Sequence, residues 1–160
     1  MIIDTVDVEK TDTSNIILAQ SHFIKTVEDV YEALVTSVPG IRFGIAFNEA
    51  SGPRLVRTEG NDGTLTDLAA RNAEKIGAGH LLVILIEGAF PVNVMQSLKS
   101  VSEITTIYCA TANRLRVVVG KEGSASSVIG VMDGESPLGR ETEKDVEERK
   151  AFLRKIGYKL

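Results

Sequence analysis

The chain has no tryptophan, one cysteine and two histidines among its 160 residues, and aromatic residues make up only 5%. A lone cysteine, Cys109, excludes an internal disulfide and any metal site built from several thiolates. With so few aromatics, the core must be assembled from Val, Ile, Leu and Ala. No apolar run approaches the ~20 residues that span a bilayer. The opening "MIIDTVDVEK" has neither a basic n-region nor a long apolar stretch, so it does not read as a signal peptide, and the expected location is the cytoplasm. Basic residues are in deficit: 18 Lys and Arg stand against 22 Asp and Glu, for a net charge of −4. That balance gives no support to sequence-independent nucleic-acid binding, which needs a clustered basic surface.

Several chemical signatures are missing too. There is no G-x-x-x-x-G-K-[ST] loop, no G-x-G-x-x-G after a strand and no H-E-x-x-H. Nor is there a G-x-S-x-G elbow. A nucleotide, if one is handled, is held by some other arrangement.

What is present is ordinary for a folded chain: 43% hydrophobic and 25% charged residues, with length enough for one sizeable core. Residues 1–160 read as a single unit. The pattern predicts two β-like runs in the first twenty residues, "MIIDTVDV" and "NIILAQS", forming a hairpin. Val27, Val30, Tyr31, Leu34, Val35 and Val38 recur at helical spacing behind Thr26, a candidate N-cap. "IRFGIAF" and "RLVRTE" read as strands, and a helix is expected from about Thr64 to Ile76. "HLLVILI" is apolar on both faces, which predicts a central strand. "PVNVMQSLKSV" suits a helix with Pro91 in its first turn. Three β-rich runs follow, and the charged tail predicts a last helix with Val146, Phe152, Leu153 and Ile156 buried. The order is ββα ββα βα βββα, an α/β fold expected to have one mixed sheet with helices packed on it.

Four polar loops carry the chemical interest. "FNEASGPRLVR" groups Asn48, Glu49, Ser51 and Gly52, with Arg54 and Arg57 close in sequence. Small residues there admit a ligand close to the backbone; a hairpin loop with solvated charges is the plainer account. "EGNDG" offers Asn61 or Asp62 as the cap of the next helix, whose free N–H groups also suit an anion. "GAGH" places Gly77 as a helix C′ residue, Gly79 in a tight turn and His80 at the mouth of a buried strand. A core histidine explains His80 adequately. Alternatively, neutral imidazole is a nucleophile toward phosphoryl groups, and nearby glycine-turn N–H groups would steady the phosphate oxygens. "VMDGESPLG" places Asp133 and Gly134 in a constrained loop, either a lid or a plain connection. His22, before the first helix, competes with His80 for any histidine role. Cys109, in an apolar β-rich run, reads as a buried inert thiol.

Together, "SHFIKTVEDVYEALV", "GIAFNEASGPRLVRTEGND", "GAGHLLVILIEGAFPVNV", "CATAN", "GVMDGESPLG" and "RKAFLRKIGYK" resemble the adenosine-specific kinase family, from about residue 14 to the end. The resemblance implies a compact α/β fold, binding of adenosine and adenine nucleotides, phosphoryl transfer, a phosphorylated histidine and a homo-oligomer, with a trimer the favoured guess. Carried over residue by residue, it makes His80 the first choice for the phosphohistidine and His22 the second. Asn48, Glu49, Ser51, Gly52, Asn61, Asp62, Gly79 and Gly134 match site motifs, and Arg57 would clamp phosphate. Asp133 or Glu49 would orient the accepting hydroxyl. Mg²⁺ would arrive with ATP, with Glu49 or Asp62 as its ligands. A non-catalytic nucleotide sensor is the alternative.

Overall fold

The computed structural model describes Met1–Leu160. The strands are β1 (Ile2–Asp7), β2 (Asn15–Gln20), β3 (Arg42–Asn48), β4 (Val56–Gly60), β5 (Leu81–Glu87), β6 (Thr106–Thr111), β7 (Leu115–Glu122) and β8 (Ala125–Asp133). The helices are α1 (Thr26–Ser37), α2 (Gly63–Ile76), α3 (Pro91–Lys99) and α4 (Glu143–Lys155). The fold is α/β, but the expected single mixed sheet is two antiparallel ones. The larger runs β4-β3-β5-β2-β6 and the smaller β1-β7-β8. No helix is long and apolar enough to cross a membrane.

Strand alternation sorts the core into two layers. On one face of the large sheet Ile17, Phe43, Ile45, Phe47, Leu82 and Ile84 pack under α1 and α3. On the other, Ile16, Leu18, Ala46, Leu81, Val83 and Leu85 meet α2 and the inner side of the small sheet. β5 lies in the middle of the large sheet, and every residue in it is buried. A strand covered on both faces has no solvent side to mark with polar residues, hence its unbroken apolar run.

α2 lies close on the sheet because of a glycine. A Cβ on Gly44 would fall 2.1 Å from the Thr66 nitrogen and 2.2 Å from the Leu65 carbonyl carbon, so only hydrogen fits. Asn72, the polar break in the apolar stripe of α2, is fully buried. Its amide accepts from Glu9 N–H at 2.8 Å and donates to Glu9 C=O at 2.7 Å, as a neighbouring strand would.

Three local expectations are corrected. The N-terminal strands do not form a hairpin: β1 pairs with β7, and β2 runs between β5 and β6. Thr26 is the first helical residue rather than the cap; its hydroxyl donates to Phe23 C=O. The final helix buries none of its residues; Phe152 is 58% exposed. Its apolar spacing correctly marked a helix, but the rest of the chain does not bury that stripe.

Candidate functional site

A cavity of about 740 Å³ opens at one end of the large sheet, on the α2 side. Its walls are the end of β3 with the loop after it, the C-terminal end of α2, and the β7–β8 hairpin tip around Ser126. Sequence-distant residues meet there. Tyr108 on β6 donates its hydroxyl to the Gln20 side chain on β2 at 2.7 Å, and both line the space.

The turn leaving α2 supplies donors. Gly77 takes the left-handed conformation (φ 65°), as a helix C′ residue does, and its N–H returns to Ala73 C=O at 2.9 Å. The next two amides, of Ala78 and Gly79, find no acceptor within the chain, and both residues line the cavity. Adjacent unpartnered N–H groups are the kind of element from which backbone anion sites are built. Gly79 also fits a narrow place: a Cβ there would meet that of Ala50 at 3.0 Å.

Asn48 is the second unusual group. It is 93% buried, at 7% exposure, and its amide donates to both Ala73 C=O and Ala78 C=O at 2.9 Å. Two carbonyl partners fix which end of the amide carries hydrogen. The remaining atom, Oδ1, is buried without a partner, alone among side-chain polar atoms in this respect. An unmade bond of that kind costs about 1–3 kcal/mol, so its persistence needs a reason.

His80 adopts a left-handed conformation (φ 60°), which costs a non-glycine residue about 1 kcal/mol. Two bonds hold it there: its N–H donates to Asn48 C=O at 2.8 Å, and its C=O accepts from Ser21 N–H at 3.0 Å. The half-buried imidazole stacks on Phe47, with ring centres 5.8 Å apart and planes 12° apart. Phe47 belongs to the α1–α3 side of the sheet. The ring therefore lies across the sheet from the cavity and lines neither main cavity. The bond to Ser21 brings His22, an exposed turn residue, to the same end of the sheet.

Glu49 is a staple. Its carboxylate accepts from Leu55 N–H at 2.8 Å and from Arg57 at 3.0 and 2.8 Å. The Leu55 amide, then Arg57, hold its pKa below the usual carboxylate range. Arg57 is thereby committed to Glu49 rather than free to clamp phosphate. The arginine that borders the cavity is Arg54, which has no ion-pair partner. Ser51 and Gly52 form the turn of this loop and do not line the cavity.

Asn61 and Asp62 stand at a separate hollow of about 500 Å³, by the start of α2. Asn61 accepts from Phe43 N–H and donates to Ile41 C=O, each at 2.8 Å. Asp62 caps α2 through Leu65 N–H at 3.0 Å and pairs with Arg42 at 3.2 Å. The Leu65 amide is the main cause of its lowered pKa. Asp133 ends β8, the strand whose opposite end borders the cavity, and accepts from Thr111 at 2.6 Å and Asn113 at 3.1 Å. Along β8, four residues lie between it and Val128, the last residue of that strand to line the cavity. Gly134 continues away from it. The expected grouping thus divides: Asn48, Glu49 and Gly79 share the cavity, whereas Asn61, Asp62, Asp133 and Gly134 do not.

No cluster of three or more His, Cys, Asp or Glu side chains could hold a metal ion. Glu49 and Asp62 border different cavities, each already engaged by an arginine and a backbone amide, so they do not fit a resident Mg²⁺ site. Burial pushes the Cys109 thiol up to about 11, in keeping with an inert residue. Residue types near a turn suggested the Asn48 and Gly79 segments. Nothing in the sequence signalled Gln20, Tyr108 or Ser126, which only the sheet topology brings together.

No curated protein matches the chain. Among solved structures, the PH1918 protein from Pyrococcus horikoshii OT3 is 45% identical, covers 99% of this chain and 98% of its own, and superposes with a TM-score of 0.95. The family model described as adenosine specific kinase matches residues 6–159. That match, spanning the cavity, both loops of β3 and the last helix alike, makes the chain a member of the adenosine-specific kinase family.

Proposed function

We propose that the chain is a cytoplasmic, homo-oligomeric phosphotransferase that binds adenosine and adenine nucleotides in the 740 Å³ cavity and makes AMP from adenosine and ATP. The observation that carries the reading is the pair of free amides, Ala78 and Gly79, beside the buried acceptor Asn48 Oδ1. Phosphate oxygens are acceptors and suit the amides. The adenine amine and the ribose hydroxyls are donors and suit Oδ1. Arg54, unpaired at the rim, adds the positive charge that a nucleotide needs.

In the covalent form of the reaction, the triphosphate has to extend from the cavity around the end of β5 to the opposite side of the sheet, where the His80 ring rests on Phe47, and a ring nitrogen of His80 then attacks the γ-phosphorus of ATP. The bond to the bridging oxygen breaks, ADP leaves and the ring loses its N–H proton. The 5′-hydroxyl of adenosine then attacks the same phosphorus, the N–P bond breaks, and the hydroxyl proton returns to the medium or to the ring. Mg²⁺ travels with the triphosphate, its charge held mainly by the nucleotide's own oxygens. Two half-reactions give ping-pong kinetics. Label from γ-labelled ATP is expected on the protein, stable to alkali and lost in acid, together with AMP when adenosine is added. Retention of label in His80→Ala rejects that residue, with His22→Ala run beside it.

A second reading has its own observation. The His80 ring rests on Phe47, on the face opposite the cavity. A sensor needs the pocket and no reacting ring. Calorimetric binding of adenosine or AMP without product formation favours it.

A further inference from the structure

The last 27 residues, from Gly134, leave the body as an arm. None of the α4 residues is buried, and α4 shares no extensive interface with another element of its chain. A free 13-residue helix is marginal in water. Yet the arm keeps its pose: it is about one sixth of the chain, so a superposition on PH1918 that missed it could not reach 0.95 over 99% of the residues.

The body has a matching deficit. The small sheet packs its inner side into the core, but no helix covers its outer side. Register puts Ile3, Val118 and Met132 on that outer side, and the bulge at Val118/Val119 lays Ile129 over Gly120. Ile3 is 63%, Ile129 53% and Met132 41% exposed. Val146, Leu153 and Ile156 span about 15 Å along α4, enough to cover that strip.

Charge gives the direction. Residues 141–148 contain five acids and one lysine, and residues 149–160 contain five bases and no acid. The outer side of β7 begins at Arg116, which has no ion pair, beside Arg114, which Asp7 already holds, and ends at Glu122, which has none either. An α4 laid parallel to β7 sets its acidic half by Arg116 and its basic half by Glu122.

We propose that α4 of one copy covers the outer face of the β1-β7-β8 sheet of a second copy, so that the subunits are joined by exchanged arms. The proposal does not depend on nucleotide binding. It is tested in the full chain carrying Cys109→Ser, Leu153→Cys and Ile129→Cys, oxidised and run on a denaturing gel without reductant. A ladder of covalent dimers and higher species is expected. A cross-linked single chain, meaning the arm folds on its own sheet, overturns the proposal, as does the absence of any cross-link. Leu153→Asp provides the second readout. It touches nothing buried and leaves the body folded. Its mass by light scattering should fall at least twofold, to that of one chain; an unchanged oligomer mass contradicts the proposal.

Discussion

β3 is flanked by two asparagine–acid pairs, and they differ in one respect. At the α2 N-terminal end, Asn61 spends both its donor and acceptor on the Phe43 and Ile41 backbones, and Asp62 caps the helix. At the other end, Asn48 spends only its donors and keeps Oδ1 buried and unmatched beside two free amides. The residue types are nearly the same. One end is a completed joint, and the other is a set of polar groups waiting for partners.

That contrast is open to attack by substitution. Asn61→Ala strands a backbone N–H and a backbone C=O, and should cost about 2–4 kcal/mol in denaturant unfolding while leaving nucleotide affinity unchanged. Asn48→Ala leaves Ala73 C=O and Ala78 C=O with the backbone donors Gly77 N–H and Leu81 N–H and removes the orphan acceptor, so its cost should be smaller, about 1–2 kcal/mol. Its AMP affinity should fall tenfold or more by calorimetry. Equal destabilisation with equal affinities would erase the distinction.

The next effect separates structural carboxylates from the site. The Thr11 hydroxyl, then Thr13 and Arg42, hold the pKa of Glu87 below its ordinary 4.5. A lowered folded-state pKa means that its stabilisation is in full above about pH 4.5 and is lost as pH falls through the lowered value. The melting temperature should therefore drop below that pH, and Glu87→Gln should flatten the slope without changing ligand affinity at neutral pH.

Two glycines sharpen the comparison within one turn. Gly77→Ala forces a side chain into φ 65° and should cost about 1 kcal/mol of stability. Gly79→Ala presses only on the Ala50 methyl, so it should cost less stability and more affinity. Smallest of all is the effect of a chelator. With no carboxylate pair free for Mg²⁺, EDTA should leave the melting temperature of the ligand-free protein unmoved.

Periodicity was enough to read β5 as central and α2 as ending at Gly77, because burial on both faces and a left-handed cap leave local marks. Sheet partners left none: β1 lies near β2 in sequence but pairs with β7, more than a hundred residues away. The candidate site was half legible. Asn48 and Gly79 were found by residue type, but so were Asp133 and Asp62, because sequence does not reveal which polar groups already have partners. His80 was singled out by its place behind the glycine turn, but neither its φ of 60° nor the side of the sheet its ring takes was legible there; the latter follows from strand alternation with Phe47. For α4 the apolar spacing marked a helix but could not show that its own chain leaves it unburied.

Amide resonances of the ¹⁵N-labelled protein, followed as AMP is added, test the cavity most directly. The Ala78 and Gly79 signals should move most, downfield in hydrogen, while those of residues 61–63 stay in place. Shifts centred on residues 61–63, with Ala78 and Gly79 unmoved, would contradict the account.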